Sequence, residues 1–305
     1  MIVATGSVSP IAEELLGEIV VADERTFPEL LPQIEVLVVR GGWHVGGETI
    51  DAAPRLRVIA RTGVGFDEID VAAATRRGIP VVITPGAGAP AVAEAALTLV
   101  VALAKRLPEL DRLVREGRWS ERDAYEVRDL EGLVLGILGF GRIGRRLAEL
   151  VEPIGMRVLA CDPYAEGADC DLETLFAVCD AVSIHAPLTE ETRGIVDERL
   201  LAGAKPGLLL VNLARGALVS SLDDLLAALE SGRLGGVGLD VFDPEPPDVD
   251  HPLFRNPRVL VSPHGLWRTP KAIERTFRDL SEGVLAALRG ERPAAVANPE
   301  LYDSK

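Results

Sequence analysis

Cysteine is nearly absent from this chain of 305 residues, with Cys161, Cys170 and Cys179 the only three. An odd number without a CxxC pair suggests neither a disulfide framework nor a zinc or other metal site, and reduced thiols in a cytoplasmic setting are expected. Positive charge is also scarce: 32 Lys and Arg stand against 47 Asp and Glu, a formal charge of −15. Nucleic acid and an anionic membrane would be repelled over the whole surface, so neither is expected as a partner, although a local cluster of arginines is not forbidden. Long apolar runs are missing too. The longest, Ala91 to Ala104, contains Glu94 and is shorter than the roughly 20 residues that span a bilayer. Met1-Ile-Val-Ala4 reads directly as a strand with no basic segment before it, unlike a signal peptide. Histidine occurs four times, so each candidate for proton transfer near neutral pH can be weighed individually.

The most informative segment present is Leu133-Val-Leu-Gly-Ile-Leu-Gly-Phe-Gly-Arg-Ile-Gly144. Val134 to Leu138 read as a buried strand. Gly139 permits the tight turn, Gly141 lets backbone approach a pyrophosphate, and Gly144 lets the helix opening at Arg142 and Ile143 pack on the strand. The N-terminus of that helix then offers free N–H groups to phosphates. Asp162 closes the next apolar run, Arg157 to Cys161, eighteen residues past Gly144. A carboxylate at this spacing accepts from both adenosine ribose hydroxyls and repels a 2′-phosphate. Because Pro163, Tyr164 and Ala165 offer no cation, NAD is expected over NADP.

Apolar runs at Ile2 to Ala4, Val36 to Val39, Val58 to Ala60 and Val81 to Ile83 alternate with helical stretches, the rhythm of a small parallel α/β unit. Asp70 starts a helix that Gly78-Ile-Pro80 stops. The loop Thr84 to Pro90 marks a domain crossing and leads into a long helix to about Arg106. The charged segment Arg115 to Asp129 reads as an arm or a solvated loop. A second α/β series begins at Val134, with strands near Val158, Ala181 to Ile184, Leu208 to Val211, Gly236 to Val241 and Val259 to Val261. Thr269-Pro270 reads as an N-cap and first helical residue of a helix to about Leu288, expected to return to the first domain.

Three candidates for chemistry follow strands of the second series: Arg215, Glu245 and His264. A guanidinium clamps a carboxylate, an imidazole exchanges a proton, and a carboxylate behind it fixes its tautomer, a set suited to hydride transfer between nicotinamide and a 2-oxo or 2-hydroxy acid. His185 also follows an apolar strand, and residue chemistry alone does not choose between it and His264. His44 and His251 read as structural or solvated. Arg40 and Arg61 each end a strand of the first series, where two guanidiniums would hold a distal anionic group; the alternative is pairing with Asp67 or Glu68.

Over nearly its whole length the chain resembles the D-isomer-specific 2-hydroxyacid dehydrogenases, and most the phosphoglycerate dehydrogenase branch. Gly136 to Gly144, His185-Ala-Pro-Leu-Thr189 with Thr192, Asn212-Leu-Ala-Arg-Gly216, Leu239-Asp-Val-Phe-Asp-Pro-Glu-Pro246 and Ser262-Pro-His264 carry the likeness, with Arg61-Thr-Gly-Val-Gly65 similar to the first-domain signature. The resemblance implies an α/β fold of two Rossmann-like or flavodoxin-like parallel-sheet domains. The substrate domain would be built from both chain ends, residues 1–90 with 271–305, and the NAD-binding domain from 91–270. It implies Arg215 as carboxylate and carbonyl binder, His264 as acid/base, Glu245 as its partner and Asp240 as a contact to the nicotinamide amide. It also places His185, Pro187 and Thr192 on the cofactor side, Arg40, Arg61, Val64 and Gly65 on the substrate side, and two copies in a homodimer. Phosphohydroxypyruvate or hydroxypyruvate is then expected before pyruvate, as for a phosphoglycerate dehydrogenase or a hydroxypyruvate/glyoxylate reductase.

Several positions depart from the family. Gly88 and Ala91 replace the usual Asn and Ser, and Gly265-Leu-Trp-Arg-Thr269 puts leucine at a position that is usually small. The crossover from Asp162 to Leu172 is short, and Ser220-Ser221 stand where Asp-Glu is common. With Lys305 the last residue, serine feedback of the kind seen in longer relatives is not implied. A formate-dehydrogenase-like hydride donor typically has glutamine at Glu245. An NAD-sensing corepressor-like binding protein is the alternative from another class.

Overall fold

The computed structural model describes residues 1–168 and 170–303; Asp169, in the short crossover, and the last two residues lie outside these. The chain divides into two compact units, Met1–Gly88 with Arg268–Lys305 and Ala89–Trp267. The first unit runs β1 (Ile2–Ala4), α1 (Pro10–Leu16), β2 (Ile19–Val21), α2 (Phe27–Leu30), β3 (Val36–Val39), α3 (Gly47–Asp51), β4 (Val58–Arg61), α4 (Val71–Arg76) and β5 (Val81–Val82). Its strands pair in parallel in the order β2-β1-β3-β4-β5. β3, Val-Leu-Val-Val, is buried on both faces as an inner parallel strand requires. Leu37, Ile59 and Val81 join the core on one face, and Val36, Val58 and Ala60 that on the other. Asp70 caps α4 by accepting the Ala73 N–H at 2.8 Å.

The second unit runs α5 (Ala89–Ala104), α6 (Leu107–Arg115), β6 (Val134–Leu138), α7 (Arg142–Val151), β7 (Arg157–Cys161), α8 (Leu172–Val178), β8 (Ala181–Ile184), α9 (Glu198–Ala202), β9 (Leu208–Asn212), α10 (Leu222–Glu230), β10 (Leu234–Leu239) and β11 (Val259–Val261). The parallel order β11-β10-β9-β8-β6-β7 reverses between β6 and β8, the switch point at which a doubly wound sheet opens a crevice for a nucleotide. Among the described residues β7 is the edge strand of this sheet, in keeping with the shortness of the segment between β7 and α8.

α11 (Pro270–Leu288) and α12 (Glu300–Asp303) belong to the first unit. Thr269 caps α11 through the Ala272 N–H at 3.1 Å, and Phe277, Leu280 and Val284 enter the first unit's core. The tail is fastened by Asn298, fully buried: its Oδ1 accepts the Val81 N–H at 2.9 Å and its Nδ2 donates to the Ile79 carbonyl at 2.9 Å.

Three local readings change. β2 escaped the pattern because it is three residues long and grows exposed along its length. The long helix ends at Ala104 because Arg106 turns left-handed, φ 49°, held by two bonds to Glu109 at 2.6 and 2.8 Å. The charged segment beyond α6 contains a 3-10 helix, Trp119–Ala124.

Asn298→Ala is expected to destabilise the first unit by about 2–4 kcal/mol, because two buried backbone groups lose partners. Thr269→Ala is expected to cost only about 1 kcal/mol, as one cap is lost. Urea titration followed by hydrogen exchange at β5 checks the ranking; equal losses would show that Asn298 does not fasten the tail.

Candidate active site

The glycine-rich turn has the shape of a phosphate cradle. Gly139 adopts φ +94°, and a Cβ there would stand 2.5 Å from the Ala186 nitrogen. At Gly144 a Cβ would meet the Gly139 carbonyl oxygen at 2.4 Å, whereas at Gly141 it would meet nothing within 4 Å. Turn and helix are thus pressed tightly together while the middle glycine leaves open approach. No side chain caps α7, which leaves the first-turn N–H groups beyond Gly141, starting at Arg142 and Ile143, available to an anion. These residues fit a dinucleotide pyrophosphate.

Asp162 follows β7 and is already tied to the turn: its Oδ2 accepts the Phe140 N–H at 2.8 Å and its Oδ1 the Tyr164 N–H at 2.9 Å. Each oxygen retains a lone pair for a hydroxyl donor. A cation that sequence spacing did not flag stands close by. Arg145 stacks over the Phe140 ring at 4.6 Å and donates to the Glu166 carbonyl at 3.0 Å.

His185 extends β8, donating its backbone N–H to the Leu138 carbonyl at 2.7 Å. Its Nε2 contacts Ser183 Oγ at 2.9 Å, and its buried Nδ1 has no partner among the described residues. Burial pushes its pKa down to about 4. A ring held neutral in this way is a poor proton donor near neutral pH. Beyond it, Thr192 donates to the Pro187 carbonyl at 2.7 Å and contacts Thr189 Oγ1 at 3.1 Å, which shapes the loop from Pro187 to Thr192.

The other strand ends bring Arg215, Glu245 and His264 together. Asn212, fully buried at the end of β9, folds the Arg215 loop: its Oδ1 accepts the Ala214 N–H at 3.0 Å and its Nδ2 donates to the Arg215 carbonyl at 2.8 Å. Next to it, a Cβ on Gly216 would lie 2.0 Å from the Phe242 carbonyl carbon, so only glycine lets this loop pass under the one bearing Glu245. Glu245 accepts the Phe242 N–H at 3.1 Å and faces His264 Nδ1 at 2.9 and 3.1 Å. Burial raises the Glu245 carboxyl, but hydrogen bonding and charge from His264, with the Phe242 N–H and the Arg215 charge, outweigh it and hold its pKa below the ordinary value.

His264 has φ 49°, an uncommon conformation for a residue with a Cβ. Asp240, 3% exposed, holds it there. Its Oδ1 accepts from Ser262 Oγ at 2.6 Å and the Gly265 N–H at 2.9 Å, and its Oδ2 from the Leu266 N–H at 3.3 Å. The resemblance assigned Asp240 to a nicotinamide contact, and positioning the His264 turn is a function that sequence reasoning missed. His251 caps the 3-10 helix Pro252–Arg255 and pairs with Asp223 at 3.1 Å, and His44 pairs with Glu68 at 3.6 Å.

In the first unit Arg40 and Arg61 stand at the C-terminal ends of β3 and β4. Arg40 is half-buried, donates to Ser7 Oγ at 3.1 Å and lies over the Phe277 ring at 5.3 Å. Its Nε has no hydrogen-bond partner and it forms no ion pair among the described residues. Burial lowers its pKa, as does the charge of Arg268. Arg61 donates to the Gly65 carbonyl at 3.1 Å and the Val39 carbonyl at 3.3 Å. The backbone N–H groups of Val64 and Gly65 meet no acceptor among the described residues.

A switch-point sheet with a phosphate cradle and a carboxylate-backed histidine defines a dinucleotide-binding α/β protein equipped for proton exchange. Residues 97–265 match the model of the D-isomer specific 2-hydroxyacid dehydrogenase NAD binding domain. D-3-phosphoglycerate dehydrogenase of Mycobacterium bovis is 39% identical over 269 residues, 86% of this chain and 50% of that protein. Hydroxypyruvate reductase of Thermotoga maritima is 38% identical, over 85% of this chain and 87% of that one. The crystal structure of the TT0316 protein from Thermus thermophilus superposes with a TM-score of 0.86 at 32% identity, covering 97% of this chain and 99% of that one. The chain belongs to the D-isomer specific 2-hydroxyacid dehydrogenase family, and its second unit carries the family's NAD-binding domain. It spans about half the length of the phosphoglycerate dehydrogenases it matches. Among the described residues no helix is long and apolar enough to cross a membrane, and no cluster of His, Cys, Asp or Glu is arranged to hold a metal ion.

Asp240→Asn is expected to destabilise the second unit by about 1–3 kcal/mol, since an amide cannot accept from all three donors on the His264 turn. Chemical denaturation checks this; an unchanged midpoint would mean that the turn holds without the carboxylate.

Proposed function

We propose that this chain is an NAD-dependent D-2-hydroxyacid dehydrogenase, an oxidoreductase acting on the CH–OH group of a small 2-hydroxy acid or on the matching 2-oxo acid. The Glu245–His264 pair, under the charge of Arg215, carries this reading. Bound NAD supplies the hydride acceptor, and NADH the donor, for the substrate's C2. The chain's own residues do the rest. The turn at Gly139, Gly141 and Gly144 with the N–H groups of α7 holds the pyrophosphate, and Asp162 holds the adenosine ribose hydroxyls. Arg215 clamps the substrate carboxylate in a bidentate grip. In the first unit, the open N–H groups of Val64 and Gly65 are proposed as donors to an anion. His264 gives or takes the hydroxyl proton. Glu245 orients the imidazole and stabilises its protonated form. Pro187 and Thr192 line the cofactor side, to which His185 contributes backbone, since its ring is part-buried against Ser183.

Arg40 and Arg61 are proposed to hold a second charged end of the substrate. Arg40 supports this most, because its half-buried guanidinium has no carboxylate partner among the described residues. A substrate with a distal phosphate or hydroxyl is therefore favoured, and a homodimer forms part of the same proposal.

NADH oxidation should be seen with at least one member of a panel of phosphohydroxypyruvate, hydroxypyruvate, glyoxylate, pyruvate and 2-oxoglutarate, with the first two preferred. Arg40→Ala should raise KM for phosphohydroxypyruvate roughly tenfold or more and that for glyoxylate much less, as a charged hydrogen bond is lost only from the longer acid. No turnover with any 2-oxo acid despite NADH binding would favour a cofactor-sensing binding protein instead.

His264→Ala is expected to reduce kcat by roughly 10²–10⁴-fold with NADH affinity little changed. In Glu245→Gln the imidazolium loses its anionic partner. Reduction of the oxo acid needs a protonated imidazole, so its alkaline limb should move to lower pH. A Glu245→Gln profile superimposable on the parent's would remove Glu245 from this role.

A further inference from the structure

Apart from the groups assigned above, the second unit contains a cavity of about 240 Å³ at the other end of its sheet. Gly207 just before β9, Leu234 at the start of β10 and Arg258 just before β11 all line it, so it opens at the strand N-termini. Three guanidiniums contribute to its wall. Arg106 is neutralised by Glu109. Arg128 and Arg258 are not: Arg128 donates to the Gly207 carbonyl at 2.7 Å, and Arg258 to the Leu229 carbonyl at 2.7 Å and the Leu234 carbonyl at 3.5 Å. Neither forms an ion pair among the described residues. Asp180, which feels the charge of Arg128, is bound by Lys205 at 2.6 Å. Glu126, the single acid of the lining, is exposed and pairs with neither arginine.

Carbonyl bonds use only part of each guanidinium's five N–H donors. Two partly buried cations with no carboxylate in ion-pair contact among the described residues are unusual in a chain with a charge of −15. Leu103, Leu209 and Leu234 provide apolar wall beside them, and Gly207, Gly232 and Gly235 bring no side chains into the space. We propose that this cavity binds a phosphate monoester, its dianionic head held by the forked donors of Arg128 and Arg258 and its short apolar body lying on the leucines. The competing role for both arginines is structural, capping carbonyl groups with no ligand.

Thermal melting of the whole protein distinguishes the two. Inorganic phosphate, against chloride at matched pH and ionic strength, should raise Tm saturably, by about 5 °C at a hundredfold excess over Kd. Propyl phosphate should saturate at lower concentration. In an Arg40→Gln background with NADH saturating the glycine-rich turn, so that the phosphate-binding groups proposed above are removed or occupied, Arg128→Gln and Arg258→Gln should each lose at least half of the rise, and Arg278→Gln, an exposed arginine paired with Glu274, should keep it. Arg128→Lys and Arg258→Lys retain charge should the glutamine variants fail to fold, and they should weaken binding about tenfold by losing the fork. In that background, an equal rise in chloride, a rise that survives substitution of both Arg128 and Arg258, or one abolished by Arg278→Gln would overturn the site. Propyl phosphate saturating no earlier than phosphate would overturn its apolar half. Melting is read without turnover and without Arg40, so failure of this site leaves the dehydrogenase reading standing.

Discussion

The buried carboxylate of Asp240 is the interaction on which the candidate active site depends. A charge inside a protein is tolerated only when hydrogen-bonded, and Asp240 meets that demand by collecting one hydroxyl and two backbone N–H groups from the turn after β11. The same bonds impose the left-handed conformation of His264 and so bring its imidazole to Glu245. Backbone strain of this kind persists only where the surroundings over-determine it. A carboxylate beneath the turn provides that determination without touching the imidazole.

Around it, the parallel sheet sets where chemistry can occur. All its strands run the same way, so Asp162, Arg215, Glu245 and His264 follow their C-terminal ends together with the phosphate turn. The loops that carry them are fitted to one another: Asn212 folds one, and the bare α-carbon of Gly216 lets the next pass over it. The N-terminal ends of β9, β10 and β11 instead meet arginines that cap carbonyl groups and border a cavity. The two edges of one sheet thus carry different electrostatics.

Charge is distributed against the average of the chain. A formal −15 describes the surface as a whole. The groups suited to anions are local: the α7 N-terminus, Arg215, and the half-buried Arg40 beside Arg268. Partial burial strengthens Arg40 and Arg215 locally, while the acidic surface disfavours polyanions at longer range.

Strong periodic or punctuated segments were legible without coordinates. β6, the capped helices at Asp70 and Thr269, and the glycine spacing have local causes: buried branched side chains, side-chain caps and tight turns. The family is legible for the same reason, since its motifs are contiguous. β2 was not, because three residues of an edge strand carry too little pattern, and neither was the break at Arg106, which depends on its pairing with Glu109. His185 and His264 have similar strand-end contexts, and sequence chemistry did not separate them. The resemblance chose His264; in the folded chain the part-buried His185 ring contacts Ser183 and the His264 ring faces Glu245. Asp240 and Asn298 belong to the same class. By itself the sequence determined the elements and their chemistry, because those arise from neighbouring residues. Burial and pairing join residues far apart in the chain, 217 positions for Asn298 and Val81, and only the folded chain decides them.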